Sequence, residues 1–171
     1  DETLDGRLDR LLSASSHGNT YRSESVRLAW PAKWMALGFD LGMSGNGDKP
    51  LSKWQEAFIP MLLARSLGGV SLQDGQPLVA GTQSILPHRL PQPPDELPQW
   101  SPAAMAIGLA LAGLFAWSGR KPALQSALML GFWLLSGLLG SVMLALWAGT
   151  GHVYAHGNEN LLLFSPLAWL A

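Results

Sequence analysis

The pattern of hydrophobic and polar positions divides the chain into a mixed first part and an apolar second part. In residues 1–86, apolar side chains alternate with charged ones, at spacings typical of elements that bury one face. Residues 102–118 and 123–148 are almost wholly apolar and are separated by a short polar turn. The pattern therefore predicts two regions that need different surroundings.

The mixed first part predicts helices followed by one hairpin. Apolar residues recur three or four positions apart in four segments, DETLDGRLDRLL, TYRSESVRLAW, PAKWMALGFDLGM and PLSKWQEAFIPMLLARSL. Pro31 suits the first turn of the third helix, and Pro60 predicts a kink within the fourth. Asp74-Gly75 lies between two β-prone runs and predicts a tight hairpin turn. We therefore expect part of an α+β domain, with Gly68-Gly69 ending its last helix.

The aromatic residues of these helices are predicted to form the core of the first part. Their spacing fits buried helix faces better than stacking against a ligand. The residues concerned are Trp30, Trp34, Phe39, Trp54 and Phe58.

Residues 87–101 are rich in proline and are predicted to be an extended tether. Proline lacks a backbone donor and cannot continue a helix, so such a segment acts as a semi-rigid spacer. The mixed part is thus expected to be joined to the apolar part by a semi-rigid tether.

The apolar second part predicts a transmembrane helical hairpin. A spanning helix needs about 20 apolar residues, and residues 102–118 come near the lower limit. Residues 123–151 carry no charge over 29 positions, which exceeds what a soluble core needs. Trp100, Trp117 and Trp147 lie near the ends of the two runs, as interfacial anchors do. We therefore predict a mainly α membrane protein with spans at about 102–118 and 123–148.

Small residues recur in the second predicted span and favour close packing against a neighbouring segment. They are Gly131, Ser136, Gly137, Gly140 and Ser141. The apolar run 161–171 is interpreted as the start of a further span. Because the sequence begins at Asp1 without a Met and ends inside this run, we interpret it as a fragment.

Charge distribution predicts the orientation of the hairpin. Arg120 and Lys121 are the only Lys or Arg residues after position 100, and positive residues favour the cytoplasmic side. Residues 1–100 and the loop 149–160 would then face the periplasm of a bacterium, with the spans in its inner membrane. Membrane lipids are the first expected partner.

Composition excludes several classes of function. The formal net charge is −1 and no basic patch is present, so nucleic acid is not an expected partner. The chain has no Cys, which excludes a disulfide, a zinc–thiolate site or a thiol nucleophile within these residues. No catalytic triad, phosphate-binding loop or dinucleotide motif is present, and no cofactor is predicted.

The loop after the second span is a candidate site for contact with lipid or substrate. It contains His152, His156, Asn158, Glu159 and Asn160. Two His residues four positions apart could share a helix face as metal ligands, but the glycines around them oppose a regular helix. We favour a hydrogen-bonded interfacial loop or a polar rim that contacts substrate, and we predict no metal.

Four residues of the first part are structural candidates, namely Tyr21, Arg22, Asp40 and Glu56. Arg22 is expected to pair with a carboxylate, either Glu56 or Asp40, and so to hold the helices together rather than to act in catalysis.

Three stretches together resemble a known family. They are NTYRSESVRLAW, LGFDLGMSGNGDKPLSKWQEAFIPMLLARSL and GTGHVYAHGNENLLLFSPLAWL. They are similar to the later part of the periplasmic domain, and the following transmembrane domain, of Lnb-type bacterial lipoprotein N-acyltransferases.

The resemblance implies a papain-like thiol enzyme that transfers a fatty acyl group to the N-terminal amine of a lipoprotein. In such an enzyme a Cys thiolate takes the acyl group and a His acts as base. Both residues would lie upstream of Asp1, so this chain alone is expected to be inactive. Two alternatives stay open: a non-enzymatic membrane-anchored binding or scaffold protein, and a subunit of a transport assembly.

Overall fold

The protein is mainly helical, with one small sheet and two long apolar helices. The computed structural model describes residues 4–72, 74–86 and 89–171, and it gives no account of the side chains of residues 4, 5 and 17. Its helices are α1 Leu4–Ser13, α2 Tyr21–Ala29, α3 Lys33–Gly42, α4 Lys53–Glu56, α5 Pro60–Gly68, α6 Ser101–Ser118 and α7 Pro122–Gly149. The strands are β1 Ser15–Thr20 and β2 Pro50–Ser52. Short 3-10 helices form at Gly45–Asp48, Val153–Ala155, Glu159–Leu162 and Pro166–Leu170. The predicted predominance of helix is confirmed.

The sheet joins two segments that are distant in sequence, and this was not predicted. The segment after α1 forms β1 and pairs with β2 in antiparallel fashion. Gly18 has a φ of +86°, which glycine adopts at no steric cost. The predicted hairpin is present in short form around Asp74-Gly75: the backbone N–H groups of Leu72 and Leu78 donate to the carbonyls of Gln76 and Val70, and Ser71 forms an antiparallel bridge with Pro77. The pairing of β1 with β2 is long-range and carries no local signal in the sequence, unlike this turn.

The predicted fourth helix is two helices. Ser52 ends β2 and caps α4, accepting a hydrogen bond from the backbone N–H of Gln55 while the Gln55 side chain accepts one from Ser52. Pro60 does not kink a continuous helix but occupies the first turn of α5, where its missing N–H costs nothing. Pro31 precedes α3, which begins at Lys33. Proline thus starts helices here instead of bending them, and α5 ends at Gly68 as expected.

The core of the first part is small, and the prediction of an aromatic core is wrong. The buried cluster between α2 and α3 consists of Val26, Ala29 and Ala36, with Trp30 packed against it. The other four aromatic residues proposed for the core are exposed: Trp34, Phe39, Trp54 and Phe58. Their spacing matches helix faces, but those faces point away from the described core.

The proline-rich segment lies against α2 at two points. Residues 89–100 form no helix or strand, and most of their side chains are exposed. Arg27 donates to the carbonyl of Pro94 at 2.9 Å, and the Trp100 ring lies 5.2 Å from the Trp30 ring in an edge-on arrangement. The segment is therefore extended but not wholly detached.

The two apolar helices are long and apolar enough to cross a membrane. In the most apolar 18-residue stretch of each helix, only 6% of the residues are buried for α6 and 22% for α7. A core helix of a soluble protein would be mostly buried instead. Both helices therefore present apolar side chains outward.

The end of the chain packs along α7. Gly140 admits the backbone of residues 164–166, since an added Cβ would come within 2.4 Å of the Phe164 carbonyl oxygen. Gly137 faces the ring of Trp169, whose Nε1 donates to the Ser141 hydroxyl at 3.0 Å. The small residues of α7 therefore receive this segment. Residues 161–171, expected to start a further span, form 3-10 turns, and the turn Pro166–Leu170 packs on α7.

Candidate functional site

Arg22 binds two carboxylates in the polar part of the protein. From α2, its guanidinium binds both carboxylate oxygens of Asp48, at 2.6 and 3.1 Å. It also donates to the carboxylate of Asp40 at 3.4 Å. Of the two partners considered from the sequence, Asp40 is therefore in place and Glu56 is not. The second and closer partner, Asp48, was missed.

The charge of Arg22 is stabilised by these neighbours. Burial by itself would lower its pKa, but the hydrogen bond and charge of Asp48, followed by those of Asp40, outweigh burial and raise the pKa above its ordinary value. Arg22 thus acts as a permanent cation that joins α2 to the end of α3. The predicted pairing of Arg22 with Asp40 is present, and its structural role stays a prediction.

Side chains from distant parts of the chain cap the carboxyl end of α3. The last carbonyls of a helix lack partners within it. Arg22 donates to the carbonyls of Asp40, Met43 and Ser44, and the amides of Asn158 and Asn160 donate to that of Leu41 at 2.8 and 2.9 Å. The positive guanidinium also suits the negative end of the helix dipole.

The loop after α7 is held against this helix end. Besides the two asparagine amides, the backbone N–H of Ser44 donates to the Tyr154 carbonyl at 2.7 Å. The Asn46 side chain reaches the carbonyls of Val153 at 3.3 Å and His156 at 3.5 Å. Asn158 is buried. The predicted polar loop is therefore docked on the first part of the protein.

An aromatic cluster joins the same two regions. Tyr21 stacks on Tyr154 with ring centroids 4.0 Å apart and lies 5.1 Å from the Phe58 ring. The His152 ring lies edge-on to both tyrosines, 6.4 and 5.9 Å away. Aromatic pairs at these distances add to the stability of an interface beyond the area they bury. Tyr21 and His152, chosen separately from the sequence, are thus brought together.

The remaining loop candidates take part in the loop's own geometry. His156 Nε2 lies 3.0 Å from the Thr150 carbonyl oxygen. Glu159 is exposed and passes close to Gly45, where an added Cβ would lie 3.1 Å from its carboxylate. Within the described part of the chain, no three His, Asp or Glu side chains are grouped so that they could hold a metal ion.

An apolar recess opens beside the docked loop. It has a volume of about 320 Å³ and lies between α3, the C-terminal end of α7 and the loop. Its lining includes Trp34, Phe39, Leu146 and His152, with Gly38 and Gly42 on the α3 side. His152 therefore faces both the tyrosines and an apolar space.

Two buried carboxylates lie on the opposite side of α2. Glu56 accepts from the Asn19 amide at 2.8 Å, and Glu24 forms an ion pair with Arg27 at 2.7 Å. The hydrogen bonds that Arg27 donates to the Glu24 carboxylate raise the pKa of Arg27, against the effect of burial. Glu24 and Arg27 are three positions apart, so helical spacing could have revealed this pair. Spacing carried no signal for Asp48 or Asn19.

The chain was also compared with known proteins. No family model, no curated protein and no solved structure matches it. The residues described above and the family resemblance of the three sequence stretches are therefore what links this chain to a function.

Proposed function

We propose that this chain is the membrane-anchored part of a periplasmic thiol acyltransferase, in which a docked outer loop holds the polar domain against the bilayer. The observation that carries the proposal is the capping of α3 by Asn158 and Asn160. Through these bonds the first part of the chain and the loop after α7 form one unit. A unit of this kind suits an enzyme that acts on molecules embedded in a membrane.

The docked loop supports the proposed topology. Its hydrogen bonds with Ser44 and Asn46 require residues 4–72 and 150–160 to lie on the same side of any membrane that α6 and α7 cross. The turn between the helices then lies on the other side. Arg120 and Lys121 in that turn favour the cytoplasm, and the Lys121 ammonium lies 4.2 Å from the centroid of the Trp117 ring.

The proposed chemistry rests on the resemblance to Lnb-type enzymes. A Cys thiolate would attack the carbonyl carbon of a lipid ester, release the alcohol after proton transfer, and hold the acyl group as a thioester. The N-terminal amine of a lipoprotein would then attack the thioester and restore the thiol. Since residues 1–171 contain no Cys, this nucleophile must be supplied from outside them.

Labelling of single cysteines tests the topology. We would introduce Cys at Ser101, Gly119 and Val153 and treat intact spheroplasts with a membrane-impermeant maleimide. Gly119 is used because the adjacent Ser118 is fully buried. We expect labelling at Ser101 and Val153 and protection at Gly119 until lysis. The opposite pattern would exclude a periplasmic enzyme, and equal labelling of a protein that stays soluble without detergent would exclude the membrane anchor.

A second experiment tests the chemistry in the longest natural form of the protein. An alkyne-tagged fatty acyl phospholipid should leave a hydroxylamine-sensitive acyl group on a Cys outside residues 1–171, and replacement of that Cys by Ser should abolish it. His152→Ala and His156→Ala should change the dependence on lipid concentration while the thioester still forms. Unchanged acyl transfer without the Cys would refute the thiol mechanism.

A further inference from the structure

Helix α3 has its apolar side outward. Its side toward α2 carries Ala36, which is fully buried, and Asp40, whose side chain is 35% exposed. The large apolar residues are on the other side: Trp34 is 75% exposed, Leu37 45%, Phe39 41% and Met35 38%. A surface helix of a soluble protein shows the reverse arrangement. The exposed side of α3 therefore needs an apolar neighbour.

The recess beside α3 is open because of two glycines. An added Cβ at Gly38 or at Gly42 would meet nothing within 4 Å. Neither glycine is therefore required for close packing, and neither has a positive φ. Glycine in a helix interior costs about 1 kcal/mol relative to Ala. Gly38, in the interior of α3, therefore keeps space free at a cost to helix stability, and Gly42 keeps space free at the last position of the helix.

The recess is continuous with the outward surface of α7. One wall is formed by Leu146, which lies in the last turn of that helix, close to the exposed Trp147. Tryptophan is enriched where a span leaves the hydrocarbon region. If α7 crosses a membrane, the recess and the apolar side of α3 therefore lie at the level of the outer ends of lipid chains.

We propose that α3 is an interfacial helix, that its exposed apolar side is immersed in the outer leaflet, and that the recess holds one hydrocarbon chain of a bilayer phospholipid. A volume of about 320 Å³ is at the lower end of the range for ligand pockets, which suits a single chain and not a whole lipid. Helices of this type lie in the interface with their apolar face in the acyl region.

This inference rests on the membrane-anchoring half of the proposed function and is independent of acyl transfer. The lipid in question is a structural neighbour of the protein and undergoes no reaction. A lipid chain is the expected occupant because the recess beside α3 is continuous with the apolar surface of α7. No comparable feature of the described residues favours a protein partner.

Spin labels on single cysteines test the position of α3. The protein in lipid nanodiscs would carry a label at Trp34 or Leu37 on α3, at Leu109 on α6, or at Trp54 on α4. Trp54 is the matched control, since it is a Trp that is 65% exposed on a helix packed with α1 and α5. Collisions with dissolved oxygen report lipid, and collisions with a water-soluble nickel chelate report water.

We expect oxygen to dominate at Trp34, Leu37 and Leu109 and nickel to dominate at Trp54. Nickel dominance at the α3 positions, with oxygen at Leu109, would overturn this inference and leave the membrane anchor intact. Little collision with either agent at α3 would mean that protein covers the helix, and oxygen dominance at Trp54 would mean that α3 is not the specific contact. Both results would also overturn it. Nickel dominance at Leu109 would remove the membrane anchor itself.

Substitution of Gly38 tests the recess. The probe is phosphatidylglycerol with a diazirine in its acyl chain, crosslinked in nanodiscs and mapped to α3 peptides by mass spectrometry. Gly38→Leu should fill the recess without a clash, and Gly38→Ala is the control. We expect crosslinking to fall roughly tenfold in the Leu variant, as when about two methylene groups can no longer be buried. Equal crosslinking in the two variants, with equal melting temperatures, would show that the recess holds no chain.

Discussion

Two connections join the polar part of this protein to its apolar helices, and they differ in kind. The segment 89–100 is rich in proline, largely exposed and attached to α2 by the contacts of Arg27 and Trp30. The loop 150–160 is anchored through the end of α3, through Ser44 and Asn46, and through a stacked pair of tyrosines. The first connection allows a range of geometries, whereas the second selects one.

The difference shows that the later connection, the loop 150–160, can fix the position of the polar part more firmly than the earlier connection, the segment 89–100. A proline-rich segment restricts distance but offers few donors, since proline has no N–H. The loop after α7 supplies amide donors to carbonyls that α3 cannot satisfy itself. The rigidity of the assembly therefore depends on the later connection.

The largest effect is expected when both connections and the apolar helices are removed together. Residues 1–86 expressed alone should be poorly folded, because the buried core between α2 and α3 is small and α3 loses its partners for Leu41. Thermal unfolding should lack a cooperative transition, in contrast to the 171-residue chain in detergent. A sharp melt with dispersed amide NMR signals would favour the alternative of a self-contained scaffold domain.

Arg22→Met should have the next largest effect. The substitution leaves Asp40, Asp48 and three helix-end carbonyls without their donor. Loss of one partner of a buried ion pair costs 3–5 kcal/mol, and partial exposure of Asp48 reduces this to about 2–4 kcal/mol here. Arg65→Met, at an exposed arginine of α5, is the control and should change stability by less than about 0.5 kcal/mol. Equal destabilisation of both variants would mean that the ion pairs and hydrogen bonds of Arg22 add no particular stability.

Asn158→Ala and Asn160→Ala should each have a smaller effect. Removal of a buried hydrogen-bond partner costs about 1–3 kcal/mol, and the buried Asn158 should approach the upper part of that range. Because both amides share the Leu41 carbonyl, the two losses should not add in a double-mutant cycle. Strict additivity in equilibrium unfolding would mean that the two amides act separately.

The smallest effect is expected in the proline-rich segment. Four Gly and Ser residues inserted after Gln92 should lower stability by less than about 1 kcal/mol, since the entropy of a longer connection grows slowly. The same insertion after Gly157 separates Tyr154 from Asn158 and should cost several times as much, because the loop can no longer make both sets of contacts. Equal effects at the two sites would abolish the distinction between the connections.

Much of this architecture could be predicted from local pattern. The two apolar helices follow from uninterrupted runs of apolar residues, and α1, α2 and α3 follow from helical spacing. The pairing of β1 with β2 could not be predicted, because neither segment has an apolar alternation of its own. The exposed aromatic residues were misassigned since periodicity identifies a helix face but not what covers it.

The candidate site was predictable in its members and not in its arrangement. The unusual density of His and Asn after α7 indicated His152, Asn158 and Asn160 as candidates. The stretch NTYRSESVRLAW indicated Tyr21 and Arg22. Their meeting at the end of α3 depends on contacts more than 100 residues apart, which spacing cannot reveal. Asp48 was missed because it lies 26 residues from Arg22 and outside the helix that carries Arg22, so spacing within that helix cannot reveal the contact.

The shared acceptor at Leu41 links the completion of α3 to the biosynthesis of the protein. Asn158 and Asn160 follow Leu41 by 117 and 119 residues, so at ordinary rates of synthesis they emerge roughly 6 to 24 s later. During that interval the Leu41 carbonyl of α3 lacks these two amide donors. If both apolar helices insert in the membrane, the loop reaches α3 only after the second one has crossed. The Leu41 carbonyl would then receive its amide donors only in molecules whose two apolar helices have both inserted.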